Sequence, residues 1–187
     1  EGIVLILDDV RAGFRLHMGG SGEALGLRPD LICYSKAVAN GYALSVGLGR
    51  EELREAASQI YLTGSFFFAA VSMAAAIATI NALRDEGGIE KMHAAGTRFR
   101  EGLDQQARSM GIAITQSGPP AIPFLTFDND EAWERSQLWA AECARRGVFV
   151  APYHNWFLCA AHSEADIDEA LSRTEGAFKA VKDKFGG

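Results

Sequence analysis

Three short apolar runs mark the first part of the chain: Ile3-Val4-Leu5-Ile6-Leu7, Leu31 to Tyr34, and Leu44 to Leu48, all bounded by Gly, Pro or Asp. Runs that are continuous rather than alternating predict fully buried strands of a mainly parallel sheet, because a strand covered on both faces has no polar side. The period then changes. From Ala69 to Leu83, the residues Met73, Ala76, Ile77, Ile80 and Leu83 fall on one helical face, and Gly87-Gly88 ends the helix. A second helix follows directly, with Ile89, Met92, Gly96, Phe99, Leu103 and Met110 mostly at three- and four-residue steps, and stops near Gly111.

Past Gly111 the pattern predicts strands at Ile112-Ala113-Ile114 and Ile122 to Phe127, separated by a Gly118-Pro119-Pro120 turn, then a helix around Trp133 to Arg146. Short strands are expected at Val148 to Ala151 and Phe157 to Ala160. In the last helix Ser163 and Asp166 form a capping pair, and Ile167, Leu171, Thr174, Phe178, Val181 and Phe185 lie along one stripe. The expectation is a two-part α/β chain: 1–86 as part of a larger sheet domain, 87–111 as a connecting helix, and 112–187 as a smaller α+β domain.

Composition narrows the function classes. With 187 residues and 48% apolar content the chain can bury a substantial core. It has 24 acidic against 18 basic residues and no basic run longer than a pair, which argues against a nucleic-acid partner. No apolar run approaches the roughly 18 residues of a membrane span, and no basic region followed by an apolar segment opens the chain. A soluble, unprocessed protein with no membrane partner is therefore expected. Cys33, Cys143 and Cys159 match neither a zinc site nor a disulfide framework, and read as reduced core thiols of a cytoplasmic protein. The chain enters its first apolar run directly after Glu1-Gly2, which suggests a start in mid-domain.

Two segments carry candidate chemistry. Asp8-Asp9-Val10 stands where the first run ends, the edge at which open α/β sheets present functional groups. Adjacent acids on an extended chain point to opposite sides, so at most one faces a given ligand; both could equally cap the turn and meet solvent. Lys36 follows the second run and precedes Ala39-Asn40-Gly41. If the strands are parallel, it shares an edge with Asp8. A lysine after a strand is commonly a solvated charge, and it serves as a nucleophile only where a free amine is available.

Read together, these residues resemble the signature of class III, fold-type I aminotransferases, particularly the glutamate-1-semialdehyde aminomutase-like subgroup. The pattern is Leu5-Ile6-Leu7-Asp8-Asp9-Val10-Arg11-Ala12-Gly13-Phe14-Arg15, then Gly26-Leu27-Arg28-Pro29-Asp30-Leu31, then Ser35-Lys36-Ala37-Val38-Ala39-Asn40-Gly41. The resemblance implies pyridoxal 5'-phosphate (PLP) as cofactor. Asp8 would pair with its pyridine nitrogen, Val10 would pack on one ring face, and Lys36 would hold it as a Schiff base. Tyr61-Leu62-Thr63-Gly64-Ser65-Phe66-Phe67-Phe68 resembles the family loop that contacts the phosphate across a homodimer interface. Ser65 is the better match to the family threonine, with Thr63 the alternative.

Three departures stand out: Asp9 where the family usually has Glu, no Pro near Ala43, and Phe68-Ala69-Ala70 in place of Gly-Asn-Pro. The segments Gly147 to Phe157 and Ala160 to Ile167 resemble the subgroup's C-terminal domain. There His154, Asn155 and Trp156 either line a substrate entrance or serve packing, and His162 reads as structural.

The resemblance covers only the latter part of the family chain. The earlier part would supply a glycine-containing phosphate loop and a ring that stacks on PLP. The implied reaction moves an amino group between an amine or amino acid and a keto or aldehyde acceptor. An aminomutase moving the group within one substrate, and a truncated, inactive, dimerising fold, are the alternatives. No substrate identity follows from these residues.

Overall fold

The computed structural model describes residues 2–186, which divide between Ile89 and Glu90 into two compact units. In the first, β1 (Ile6–Asp8), β2 (Leu31–Tyr34) and β3 (Val46–Gly49) form a sheet in the order β1-β2-β3. β1 runs parallel to β2, with Ile6 opposite Leu31 and Asp8 opposite Cys33. β3 runs antiparallel to β2, pairing Tyr34 with Val46 and Leu31 with Gly49. The α/β class expected from the sequence is present, but this sheet is mixed. A continuous apolar run signals burial without carrying strand direction, and the short link after Lys36 permits a reversal.

Two features of the first run differ from expectation. Only Ile6–Asp8 forms a strand, while Ile3, Val4 and Leu5 lie outside it and are 79, 48 and 50% exposed. Ile6 is 59% exposed as well. Within the described residues β1 is an edge strand with one neighbour, and α1 covers its Leu7 face while Ile6 on the other face stays exposed. A short helix, α1 (Ser21–Leu25), sits between β1 and β2 and was not anticipated. α2 (Arg54–Ser58) follows β3, and α3 (Ala70–Asp85) closes the unit.

The Ala-rich helix α3 forms where the 3.6-residue period placed it, but its buried face is rotated. Ser72 and Ala76 are buried and Ile80 is half-buried, whereas Met73 and Ile77 of the expected stripe are 40 and 63% exposed. A helix with small apolar residues on most sides presents no single stripe from which a face can be read. Val38 and Ala39 pack against Ala76, with Phe14, Leu44 and Ile80 around them.

The second unit begins within α4 (Gly88–Ser109) and continues through β4 (Ile114–Ser117), β5 (Phe124–Phe127), α5 (Glu134–Arg145) and α6 (Glu164–Phe185). β4 and β5 form an antiparallel pair, and Phe99, Leu103, Trp139 and Phe178 meet in one core. The Trp139 ring lies 5.3 Å from Phe178 and 5.6 Å from Trp156. Each such side chain contributes roughly 1.5–3 kcal/mol on full burial. An added Cβ on Gly96 would stand 1.9 Å from the Pro120 carbonyl oxygen, so α4 and the turn before β5 touch backbone to backbone.

Helix ends follow side-chain chemistry. Ser163 caps α6 in a full capping box: its hydroxyl accepts from the Asp166 N–H, while the Asp166 carboxylate accepts from the Ser163 N–H at 2.8 Å. α5 is capped from further off. The Asp130 carboxylate accepts from the N–H groups of Arg135 and Ser136, both at 2.9 Å. Burial works against its charge, but those hydrogen bonds and the Ser136 hydroxyl outweigh it and hold the carboxyl below the usual range.

The strands expected at Val148 to Ala151 and Phe157 to Ala160 do not form. The Val148 N–H instead closes the end of α5 on the Cys143 carbonyl, and the Trp156 and Leu158 N–H groups bond singly to Pro123 and Ala121. Val150 and Leu158 enter the core without a ladder, while Phe149 is left exposed to solvent. The cysteines also differ from one another. Cys143 is buried and its thiol is pushed up to about 12 by that burial, which leaves it inert, whereas Cys33 is half-buried and Cys159 is exposed rather than in the core.

Candidate active site

At the end of β1 the two acids take opposite sides. Asp9 is fully buried, and its carboxylate accepts from the Ser21 N–H at 2.8 Å and the Ser21 hydroxyl at 2.6 Å. Asp8 is exposed and accepts from the Val10 N–H at 3.1 Å; Val10 itself is half-buried. This is the alternation of an extended chain: one acid is buried and satisfied within the fold, and the other faces solvent. Ser21 carried no mark in the sequence reading. The Gly19-Gly20-Ser21 sequence after the strand end was the available signal, since Ser opens helices and Gly20 takes a φ of 85°.

Lys36 begins a 3-10 turn, Lys36–Ala39, directly after β2, and its backbone φ is 49°, in the left-handed region that non-glycine residues avoid. The Ser35 hydroxyl donates to the Leu44 carbonyl at 2.7 Å, and Val38 and Ala39 are buried beneath the turn. Lys36 itself is exposed and, among the described residues, forms no ion pair. The parallel register therefore brings Asp8 and Lys36 to the same end of neighbouring strands.

Thr63 and Ser65 lie in a loop that lines a cavity of about 530 Å³ with Ser35, Leu44 and Met73. Phe66, Phe67 and Phe68 are 69, 55 and 78% exposed in the same loop. The structure thus groups both candidate hydroxyls with the residue preceding Lys36; Asp8 and Val10 are not part of that lining.

In the second unit, Trp156 packs edge-to-face on Phe99 at 6.1 Å and donates its indole N–H to the Ala151 carbonyl at 2.9 Å. His154 contacts the carbonyl of Asn155 through Nδ1, and His162 Nδ1 accepts from the Cys159 N–H at 3.3 Å. These contacts are local in sequence, apart from that of Trp156 with Phe99. Among the described residues no His, Cys, Asp and Glu group is arranged to hold a metal ion, and no helix is long and apolar enough to cross a membrane.

Comparison with known proteins decides the family: residues 1–170 match the model for Aminotransferase class-III. The chain belongs to the class-III aminotransferases. It is 45% identical over 184 residues to the aminopentol aminotransferase of Sphingopyxis macrogoltabida, covering 98% of this chain and 44% of that protein. It is 31% identical over 194 residues to the glutamate-1-semialdehyde 2,1-aminomutase of Desulforudis audaxviator, covering 95% of this chain and 45% of that protein. The solved structure of the PLP internal aldimine form of the FumI protein from Sphingopyxis sp. MTA144 superposes with a TM-score of 0.96 at 44% identity, covering all of this chain and 45% of that one. The class-III chain described here therefore has the fold of the PLP-dependent transaminases, and spans somewhat less than half the length of these relatives.

Proposed function

We propose that this chain carries the cofactor-anchoring acid and lysine of a PLP-dependent aminotransferase, which moves an amino group between an amine or amino acid and a keto or aldehyde acceptor. The observation that carries the reading is the parallel register of β1 and β2, with Asp8 level with Cys33 and Lys36 three residues beyond it. The donor set fits the cofactor: an exposed carboxylate and an exposed amine at one end of the sheet, with the Ser65 and Thr63 hydroxyls lining a separate cavity that also includes Ser35, the residue before Lys36.

When bound, PLP supplies an aldehyde for covalent capture and a ring that withdraws electrons from the substrate's amine-bearing carbon. Asp8 would accept a hydrogen bond from the protonated ring nitrogen and so keep that proton on the ring, because a neighbouring carboxylate favours the cationic form. Val10 would pack on one ring face. Lys36 would hold the cofactor through Nζ and, with its amine free, would hold or move a proton at the substrate carbon. Ser65, or Thr63 in its place, would donate to the phosphate of the PLP held by a second copy of the chain in a homodimer. The unpaired cysteines support action in a reducing compartment such as the cytoplasm.

The test is covalent trapping: incubation with PLP, borohydride reduction and peptide mapping. A label on Lys36 is expected, and a label elsewhere or none refutes the assignment. The similarity to an aminomutase supports a second reading, internal transfer within one substrate. Turnover of a lone substrate with no added carbonyl acceptor would favour it.

A further inference from the structure

We infer that Asp9, clamped by Ser21, is a positioning residue that fixes the direction in which Asp8 presents its carboxylate; this rests on the role proposed above for Asp8. Asp9 is held at every polar group. Its N–H donates to the Cys33 carbonyl at 2.9 Å, its carbonyl accepts from the Gly13 N–H at 2.9 Å, and its two carboxylate oxygens accept from the Ser21 hydroxyl and N–H. Cys33 is also the register partner of Asp8, so the bond to its carbonyl extends the ladder one residue past the strand end.

The side chains sort accordingly. An added Cβ on Gly22 would stand 3.2 Å from Leu7 Cδ2, so Leu7 and Asp9 both face α1. Alternate residues of a strand face opposite ways, which puts Ile6 and Asp8 on the other side. Rotation of Asp8 toward α1 would require Asp9 to leave its pocket.

The pocket admits little else. A Cβ at Gly20 would fall 2.5 Å from Asp9 Oδ2 and 2.4 Å from the Tyr34 hydroxyl, and one at Gly13 would fall 2.4 Å from the Tyr34 ring. Burying a carboxylate is unfavourable unless donors meet it, and an apolar side chain would fill the same volume without that cost. Directional hydrogen bonds to a helix start and a strand end give what an apolar residue lacks, a fixed backbone orientation at the next position.

The experiment is a thermodynamic cycle on PLP affinity in the intact protein, with Asp9→Asn and Ser21→Ala each made alone and in an Asp8→Asn background. Each single variant is expected to weaken PLP binding about tenfold and to add little once Asp8 is already replaced, because coupled neighbours are non-additive. Equal losses in both backgrounds, or unaltered affinity in folded variants, would overturn the inference. If Asp9→Asn fails to fold, Ser21→Ala, which keeps the backbone N–H donor, decides alone. A wild-type chain that takes no label at Lys36 overturns the functional assignment and this inference with it; a labelled wild type with unaffected variants overturns the inference only.

Discussion

Asp8 and Cys33 are register partners on neighbouring parallel strands, so the free acid at the end of β1 stands level with a residue three positions before Lys36. That relation rests on backbone pairing alone, and it brings a carboxylate and an amine from distant parts of the sequence to one sheet edge.

Replacing Lys36 tests the chemistry separately from the fold. Lys36→Ala is expected to lose transamination by roughly 10²–10⁴-fold or more, the range associated with a positioned proton-transfer group. Because the side chain is exposed, the melting temperature should hardly move. Steady-state rates and a thermal melt on the same preparation check both halves.

Ser65→Ala and Thr63→Ala separate the two phosphate candidates. A hydrogen bond to a charged group contributes about 1.5–3 kcal/mol, so the true donor's loss should weaken PLP binding roughly ten- to a hundredfold. The larger effect is expected at Ser65. Fluorescence titration with PLP reads it, and the reverse order would transfer the role to Thr63.

Gly96→Ala should destabilise the second unit although it places a better helix former in α4. Alanine ordinarily improves a helix interior by about 0.5–1 kcal/mol over glycine. Here the new methyl meets the Pro120 carbonyl, and overpacking of this kind costs about 1–3 kcal/mol. Denaturant unfolding followed by tryptophan fluorescence should show a net loss.

Acid should loosen α6 from its first turn. Hydrogen bonds from the Ser163 hydroxyl and N–H, with a smaller effect of nearby His162, hold the Asp166 carboxyl below its ordinary value, and Arg98 does the same for Asp168. A carboxyl depressed in the folded state contributes stability that is fully present above its unfolded value, about 3.9, and is lost as pH falls through the folded value. Unfolding measured between about pH 6 and pH 2 should therefore show a decline below about pH 4. The decline should be shallower in Asp166→Asn.

Much of this was legible in the sequence. The 3.6-residue spacing located α3, α4 and α6, and Ser163 and Asp166 are the capping pair that the sequence suggested. The adjacent acids separated as strand alternation requires. What escaped has physical reasons. The direction of β3 is set by its partner rather than by its own apolar run, and α1 is five residues long with no apolar period. Val148 to Ala151 and Phe157 to Ala160 each send one apolar side chain, Val150 and Leu158, into the core, while Phe149 and Cys159 stay exposed, so apolar content here does not signal a ladder. Ser21 acts through a carboxylate twelve positions earlier, a relation that becomes visible only when β1 and α1 are brought together.

The turn that begins at Lys36 has its own dependence. Its backbone sits in a region that costs a non-glycine residue roughly 1–3 kcal/mol, and Val38 and Ala39, resting on Ala76, are among the contacts that hold it there. The aim of the amine is thus leased from a helix some forty positions downstream. Enlarging Ala76 would tilt that shelf and misdirect the nitrogen, so a substitution with no chemistry of its own could silence the site as surely as removing the lysine.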